Sequence, residues 1–270
     1  MSNTISAANN PSLANQLVDQ AISTPVATEN KLEITPPSDT HVSLPGGYIT
    51  PSGEVTRDAE VRELDGQDEE ALSKATSIGR AILVLVNRGT VSVGGQKADE
   101  AVMDGLLAGD RDALLIGIAK ATFGPTVDVS TFCSGCNDFK EVRVSLDEDL
   151  KNKVLVDPIA DRVFTVQGKV GEIVVEMPNG ATQKLLIDSV DKTPAEMNSI
   201  LLERTVKRIA GNPVYSRIQV QKLGIQDRRL VLEELETRVP GPRLSDVTIP
   251  CPDCGGEVLV PINFGTLFRF

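Results

Sequence analysis

Several residue types are scarce in this chain, and each scarcity excludes something. There is no tryptophan among its 270 residues, and there are two tyrosines, seven phenylalanines and a single histidine, His41. So few aromatics supply little for stacking on single-stranded nucleic acid. One histidine leaves almost no material for His-based acid–base catalysis or His-rich metal sites. No long apolar run exists: the longest, AILVLV at residues 81–86, falls far short of the roughly 20 residues a membrane helix needs. The N-terminus shows no charged region followed by an apolar stretch, so no secretory leader is expected. Net charge is −11 and the pI about 4.7, which opposes general attraction to nucleic acid or anionic lipid. These absences point to an intracellular, non-enzymatic protein with no membrane partner. Hydrophobic residues at 40% still suffice for a core.

Residues 1–40 are rich in Ser, Thr, Asn and Pro and read as a disordered polar tail, in which Leu13, Leu17 and Ile22 could fold on a partner. The remainder carries an internal repeat. Asp110-Arg111 and Gly124-Pro125 recur 117 residues later as Asp227-Arg228 and Gly241-Pro242, and Cys133 and Cys136 recur after 118 as Cys251 and Cys254. Upstream, Leu44-Pro45-Gly46-Gly47 matches Met177-Pro178-Asn179-Gly180 more loosely. The expected organisation is a first unit at 41–150, a linker at 151–162 and a second unit at 163–270.

Local signals give the order of elements. Asp65 or Asp68 can cap a helix whose stripe runs through Leu72, Ala75, Ile78, Ile82 and Leu85, with Gly89 ending it in a left-handed conformation. Thr193-Pro194-Ala195-Glu196 has capping-box spacing with Pro at the first helical position. Its stripe runs through Met197, Ile200, Leu201 and Ile209 to Gly211. Asp110 and Asp227 are read as caps of Leu-rich helices that Gly-Pro then stops, with each Arg pairing nearby. Period-two patterns flank both Cys pairs, SVGGQK reads as a hairpin turn, and GEIVVEMPNGATQKLLI reads as a hairpin turning at Asn179-Gly180. The fold class expected is α+β, two related helix-plus-hairpin halves in pseudo-twofold arrangement.

All four cysteines sit in Cys-x-x-Cys pairs. Two such knuckles supply four thiolates, the number tetrahedral zinc takes in a structural site. If matching arms meet tip to tip, Cys133, Cys136, Cys251 and Cys254 form a zinc-ribbon-like site of four cysteines that clasps the halves. Free thiols, a redox pair and disulfides are the alternatives; a redox pair ordinarily opens a helix, and disulfides suit secreted chains. Four thiolates leave no open position for substrate water, so such zinc is structural. Tyr48, Phe264, Phe268 and Phe270 are candidate exposed contacts.

The run LLAGDRDALLIGIAKATFG, then a strand and CSGC, resembles the phage T4-type baseplate (hub) protein family of tailed phages and related contractile particles. The matching residues are Leu106, Leu107, Asp110, Leu114, Leu115, Gly124, Cys133 and Cys136. The resemblance covers 41–150 and, as a diverged second copy, the half ending FGTLFRF. It implies a non-enzymatic tail or baseplate assembly or structural protein that binds other baseplate components. Its implied location is the host cytoplasm during assembly or the virion tail, and it implies no catalytic residues. The competing reading is an acidic zinc-ribbon nucleic-acid-binding or transcription accessory factor. Against it, the knuckle flanks hold few basic residues, Lys140 and Arg143 near the first and none at 250–256.

Overall fold

A computed structural model describes residues 40–244 and 247–268. The polar tail, with Leu13, Leu17 and Ile22, and the terminal Phe270 lie outside the described residues. Strand β1 (His41–Ile49) turns into β2 (Val55–Val61), followed by helices α1 (Gly66–Leu72) and α2 (Ile78–Gly89). Strands β3 (Thr90–Val93) and β4 (Gln96–Lys97) precede α3 (Glu100–Gly105) and α4 (Ala108–Phe123). The first arm is the hairpin of β5 (Thr126–Cys133) and β6 (Asp138–Ser145), with β7 (Asn152–Lys153) after it. The same order then returns: β8 (Val163–Gly168), β9 (Gly171–Glu176), α5 (Gly180–Ile187), α6 (Pro194–Thr205), β10 (Val206–Ile209), β11 (Asn212–Pro213), α7 (Arg217–Gln221) and α8 (Ile225–Arg238). Strand β12 (Gly241–Pro242), the second arm β13 (Thr248–Pro250) and β14 (Glu257–Leu259), and α9 (Phe264–Phe268) complete the described chain. The fold is mixed α+β. Two four-stranded antiparallel sheets, ordered β1-β2-β3-β4 and β11-β10-β9-β8, carry the same meander.

Caps and turns set these boundaries. Asp65 is the cap of α1: its carboxylate accepts from the Gln67 and Asp68 amides at 2.9 and 3.2 Å, while Asp68 accepts from the Asp65 amide at 3.0 Å. The single helix expected from 65 to 89 is two helices, because Ser77 caps a new start through the Arg80 amide; Ile78 is exposed rather than in the stripe. Gly89 does not end α2 in a left-handed turn. It lets α4 approach, since a Cβ there would lie 2.6 Å from Ile118. Thr193 and Glu196 form the expected capping box, but α6 stops at Thr205, and Ile209 and Gly211 belong to the β10–β11 hairpin. The turn at Gly94-Gly95 joins β3 to β4 as expected.

Two further corrections concern matched segments. Asn179-Gly180 is no hairpin turn: the β8–β9 hairpin turns at Lys169-Val170, and Asn179 caps α5 through the Thr182 amide at 3.1 Å. An Asn that accepts from the third amide onward favours a helix start over a turn. Leu44–Gly47 lies within β1 whereas Met177–Gly180 follows β9, so these two segments are not equivalent. The element order instead sets Asp65-Gly66 against Asn179-Gly180.

Two cores fill the interior. One gathers β1, β2, α2 and α4 around Leu44, Leu85, Leu114 and Ile118. The other gathers β8, β9, α6 and α8 around Phe164, Ile173, Leu202 and Val231. Both arms serve the first core: Val127, Val129, Val142 and Val144 join it, and so do Val247, Val260, Ile262, Leu267 and Phe268. The two halves belong to one compact unit. Tyr48 and Phe268 are buried in it, contrary to their expected exposure.

The contacts between halves are one-sided. The Gly180 amide bonds Leu106 O at 2.8 Å and the Ala108 amide bonds Pro178 O at 3.0 Å. A Cβ on Gly180 would stand 2.2 Å from Met103 O, yet the equivalent Gly66 has nothing within 4 Å. A pseudo-twofold would make both contacts, so the expected twofold disposition does not describe this interface.

Candidate metal centre

The two arms end in matched knuckles. Cys133 closes β5 and Cys136 lies in the turn to β6; Cys251 follows β13 and Cys254 lies in the turn to β14. The residue after each second cysteine is left-handed, Asn137 at φ 56° and Gly255 at φ 69°. Asn and Gly are the types that tolerate this conformation most readily. Gly135 gives the other arm room: a Cβ there would meet Cys254 Sγ at 3.2 Å.

The four sulfurs converge from pairs more than 110 residues apart. All lie within 4.8 Å of one another, with Cys133 Sγ 3.6 Å from Cys254 Sγ and Cys136 Sγ 3.7 Å from Cys251 Sγ. These are free thiols, with no disulfide. Zn–S bonds of about 2.3 Å in a tetrahedron place sulfurs about 3.8 Å apart, so a zinc ion fits this spacing and donor set. Amides of Cys254 and Asp253 point at Cys251 Sγ and draw its thiol down to about 7. Cys136, hydrogen-bonded by Cys254 and then crowded by Cys251 and Cys133, is pushed up to about 12. A divalent cation would stabilise the thiolate form of Cys251 and Cys136 alike.

Polar contacts outside the sulfurs tie the arms together. Lys140 bridges Asp253 at 2.8 Å and Asp138 at 2.9 Å, and both carboxylates raise its pKa, Asp253 the more. Thr131 Oγ1 donates to Leu259 O at 3.0 Å. Sequence reading missed Lys140 and Gly135 as parts of the centre. The parallel of CSGCN with CPDCG could have pointed to the knuckle; nothing in the sequence pairs Lys140 with Asp253.

The Asp-Arg motifs are structural, with a partner different from the one expected. Neither Asp caps its helix, since α4 and α8 start at Ala108 and Ile225. Instead Asp110 accepts from the Gly46 amide at 2.6 Å, and Asp227 accepts from the Lys169 and Val170 amides at 2.8 and 3.1 Å. Asp110 thus pins α4 to strand β1, and Asp227 pins α8 to the turn between β8 and β9. Arg111 Nη1 donates to Met103 O at 2.9 Å and Arg228 Nη1 to Val220 O at 3.0 Å. His41 is exposed at the start of β1, 3.6 Å from Asp58.

Comparison with family models, with curated proteins and with solved structures gave no match. Among the described residues, no helix is long and apolar enough to cross a membrane.

Proposed function

We propose that this protein is a non-enzymatic phage tail or baseplate assembly or structural protein that binds other baseplate components, built from a duplicated unit whose arms share one structural zinc. The observation that carries the reading is the convergence of all four cysteines within 4.8 Å from two matched arms. Four protein thiolates close a zinc's coordination, so the ion holds shape and offers no site for substrate. Residues 133 and 136 would hold it from one arm and 251 and 254 from the other.

Duplication is supported by the repeated element order, by the shared meander and by the twin roles of Asp110-Arg111 and Asp227-Arg228. The baseplate assignment is supported by the resemblance of residues 106–136, where Leu106, Leu114 and Leu115 are buried and Cys133 and Cys136 face the other arm. The nucleic-acid reading gains nothing: Lys140 is taken by two carboxylates and Arg143 by Asp128 at 2.8 Å.

Two measurements test the proposal. Native mass spectrometry of the purified chain should show one zinc, lost in Cys251→Ser/Cys254→Ser; a metal-free native chain refutes the clasp. Deleting the gene from the genome that carries it should leave heads without functional tails in electron micrographs. Normal tailed particles would refute the assembly role.

A further inference from the structure

The one-sided contact between the halves leaves one end of each partner surface open. Within the chain, the loop before α5 seats on the α3–α4 junction through the Gly180–Leu106 and Ala108–Pro178 backbone bonds. Gly180 is required there, because a Cβ would strike Met103 O at 2.2 Å and Arg111 Nη1 at 2.8 Å. Two ion pairs flank the seat, Lys184 on Glu100, and Arg80 on Asp188 at 2.9 Å.

The counterparts of both surfaces are exposed. The loop before α1 presents Asp65 and Gly66, and glycine stands again at the crowded position although nothing lies within 4 Å of it. The α7–α8 junction, counterpart of the α3–α4 junction, leaves Ile218 and Ile225 62% and 72% exposed. Arg228 there holds Val220 O as Arg111 holds Met103 O.

Charge follows the same map. The pair Lys184–Glu100 becomes Glu70 against Arg217, which within the chain already holds Glu203 at 2.8 Å, and Arg80–Asp188 becomes Glu196, the capping-box partner of Thr193, against Lys74. Both pairs have exchanged signs and both stay complementary. Residues 41–150 hold nineteen acids and ten bases, whereas residues 204–229 hold seven bases and one acid. Opposite poles steer association and fix its register. The Gly109–Pro240 contact has no counterpart, because Gln226 stands in the place of Gly109; the seat that transfers is the loop and its two ion pairs.

We propose that the protein associates with further copies of itself head to tail, residues 63–70 of one copy seating on residues 217–228 of the next as residues 177–184 seat on residues 100–111 within the chain. The inference rests on the duplication reading. A heterologous contact of this kind closes into a ring or runs on as a filament, a geometry suited to a component of a larger assembly.

The test is sedimentation velocity of the full chain from about 1 µM to about 1 mM, at low and high salt. Assembly beyond the monomer should grow with concentration and weaken with salt. Gly66→Gln should leave the melting temperature unchanged or higher, since the site is open within the chain, yet weaken association at least about tenfold by blocking the seat. Glu70→Lys should weaken association and Glu70→Lys/Arg217→Glu should restore it. A monomer at every concentration, or association indifferent to Gly66→Gln, overturns the proposal. The zinc content of the same samples reads the clasp separately, so failure of one does not pass for failure of the other.

Discussion

Replacing Asp110 by Asn should change stability in a way that depends on pH. The Asp110 side chain is fully buried between β1 and α4; one oxygen takes the Gly46 amide and the other, Oδ2, has no hydrogen-bond partner. Burial raises its pKa to about 6 from 3.8, against the pull of the Gly46 amide, the Arg162 guanidinium and the Leu107 and Gly47 amides. Because the folded chain binds this proton more tightly than the unfolded chain, the carboxyl costs nothing below about pH 4. The cost grows as pH rises through 6 and then levels at about 3 kcal/mol. Asn keeps an acceptor for Gly46 and removes the charge. Asp112 shares part of the effect: desolvation pushes it up to about 6, and the Asp110 charge adds to the shift. Urea unfolding of parent and variant at each half pH unit from 5 to 8 measures the difference, and groups unaffected by the substitution cancel in it. Asp110→Asn should gain on its parent by about 1.4 kcal/mol between pH 5 and pH 8, the rest of the difference having developed below pH 5. A difference that stays flat over that range would refute the argument that an ionised, under-bonded carboxylate is buried there.

Three further outcomes follow from other contacts. Gly109→Ala would set a Cβ 1.5 Å from Pro240 O, so backbone must move, and a thermal melt should show a loss of about 3 kcal/mol or more. Asp68, its side chain 1% exposed, takes Arg62 at 2.7 Å and Arg88 at 2.6 Å; because both guanidiniums stay partly in water, Asp68→Asn should cost about 1–3 kcal/mol in chemical denaturation. The Arg62 hydrogen bond, more than any other contact, holds that carboxyl well below the usual carboxylate range, so its stabilisation is present above about pH 4 and fades as pH falls further. Stripping metal with a chelator should strip amide protection from residues 247–268 while β8–β10 keep theirs. The reason is that β13–β14 forms no ladder with β5–β6 and is held by side-chain packing, Thr131, Lys140 and the sulfurs. Hydrogen exchange that is equal with and without metal would show that packing alone holds the segment.

Local chemistry made much of this protein legible in its residues. The two Cys-x-x-Cys pairs, the Thr193 capping box and the Gly94-Gly95 turn depend on neighbours within a few positions, and the structure has them where spacing put them. Strands β1 and β8 begin at His41 and Val163. Short-range signals were also where reading faltered. Asn179-Gly180 suits a hairpin and a helix cap equally, and only the prior closing of β8–β9 at Lys169-Val170 decides for the cap.

Tertiary structure decided the rest. Asp110 and Asp227 look like caps in one dimension, but a carboxylate in the first helical turn can equally reach across to another element, and amides of strand β1 and of the β8–β9 turn claim them. Repetition in sequence says that two units are alike without saying how they face each other. That choice lay with the close approaches at Gly180 and Gly109, where missing side chains let one backbone touch another, and with the packing of Leu267 and Phe268 onto the first core. The four cysteines of the candidate centre could be named from composition and spacing alone. Their meeting required both arms to lie against one core, a long-range arrangement that no local pattern encodes.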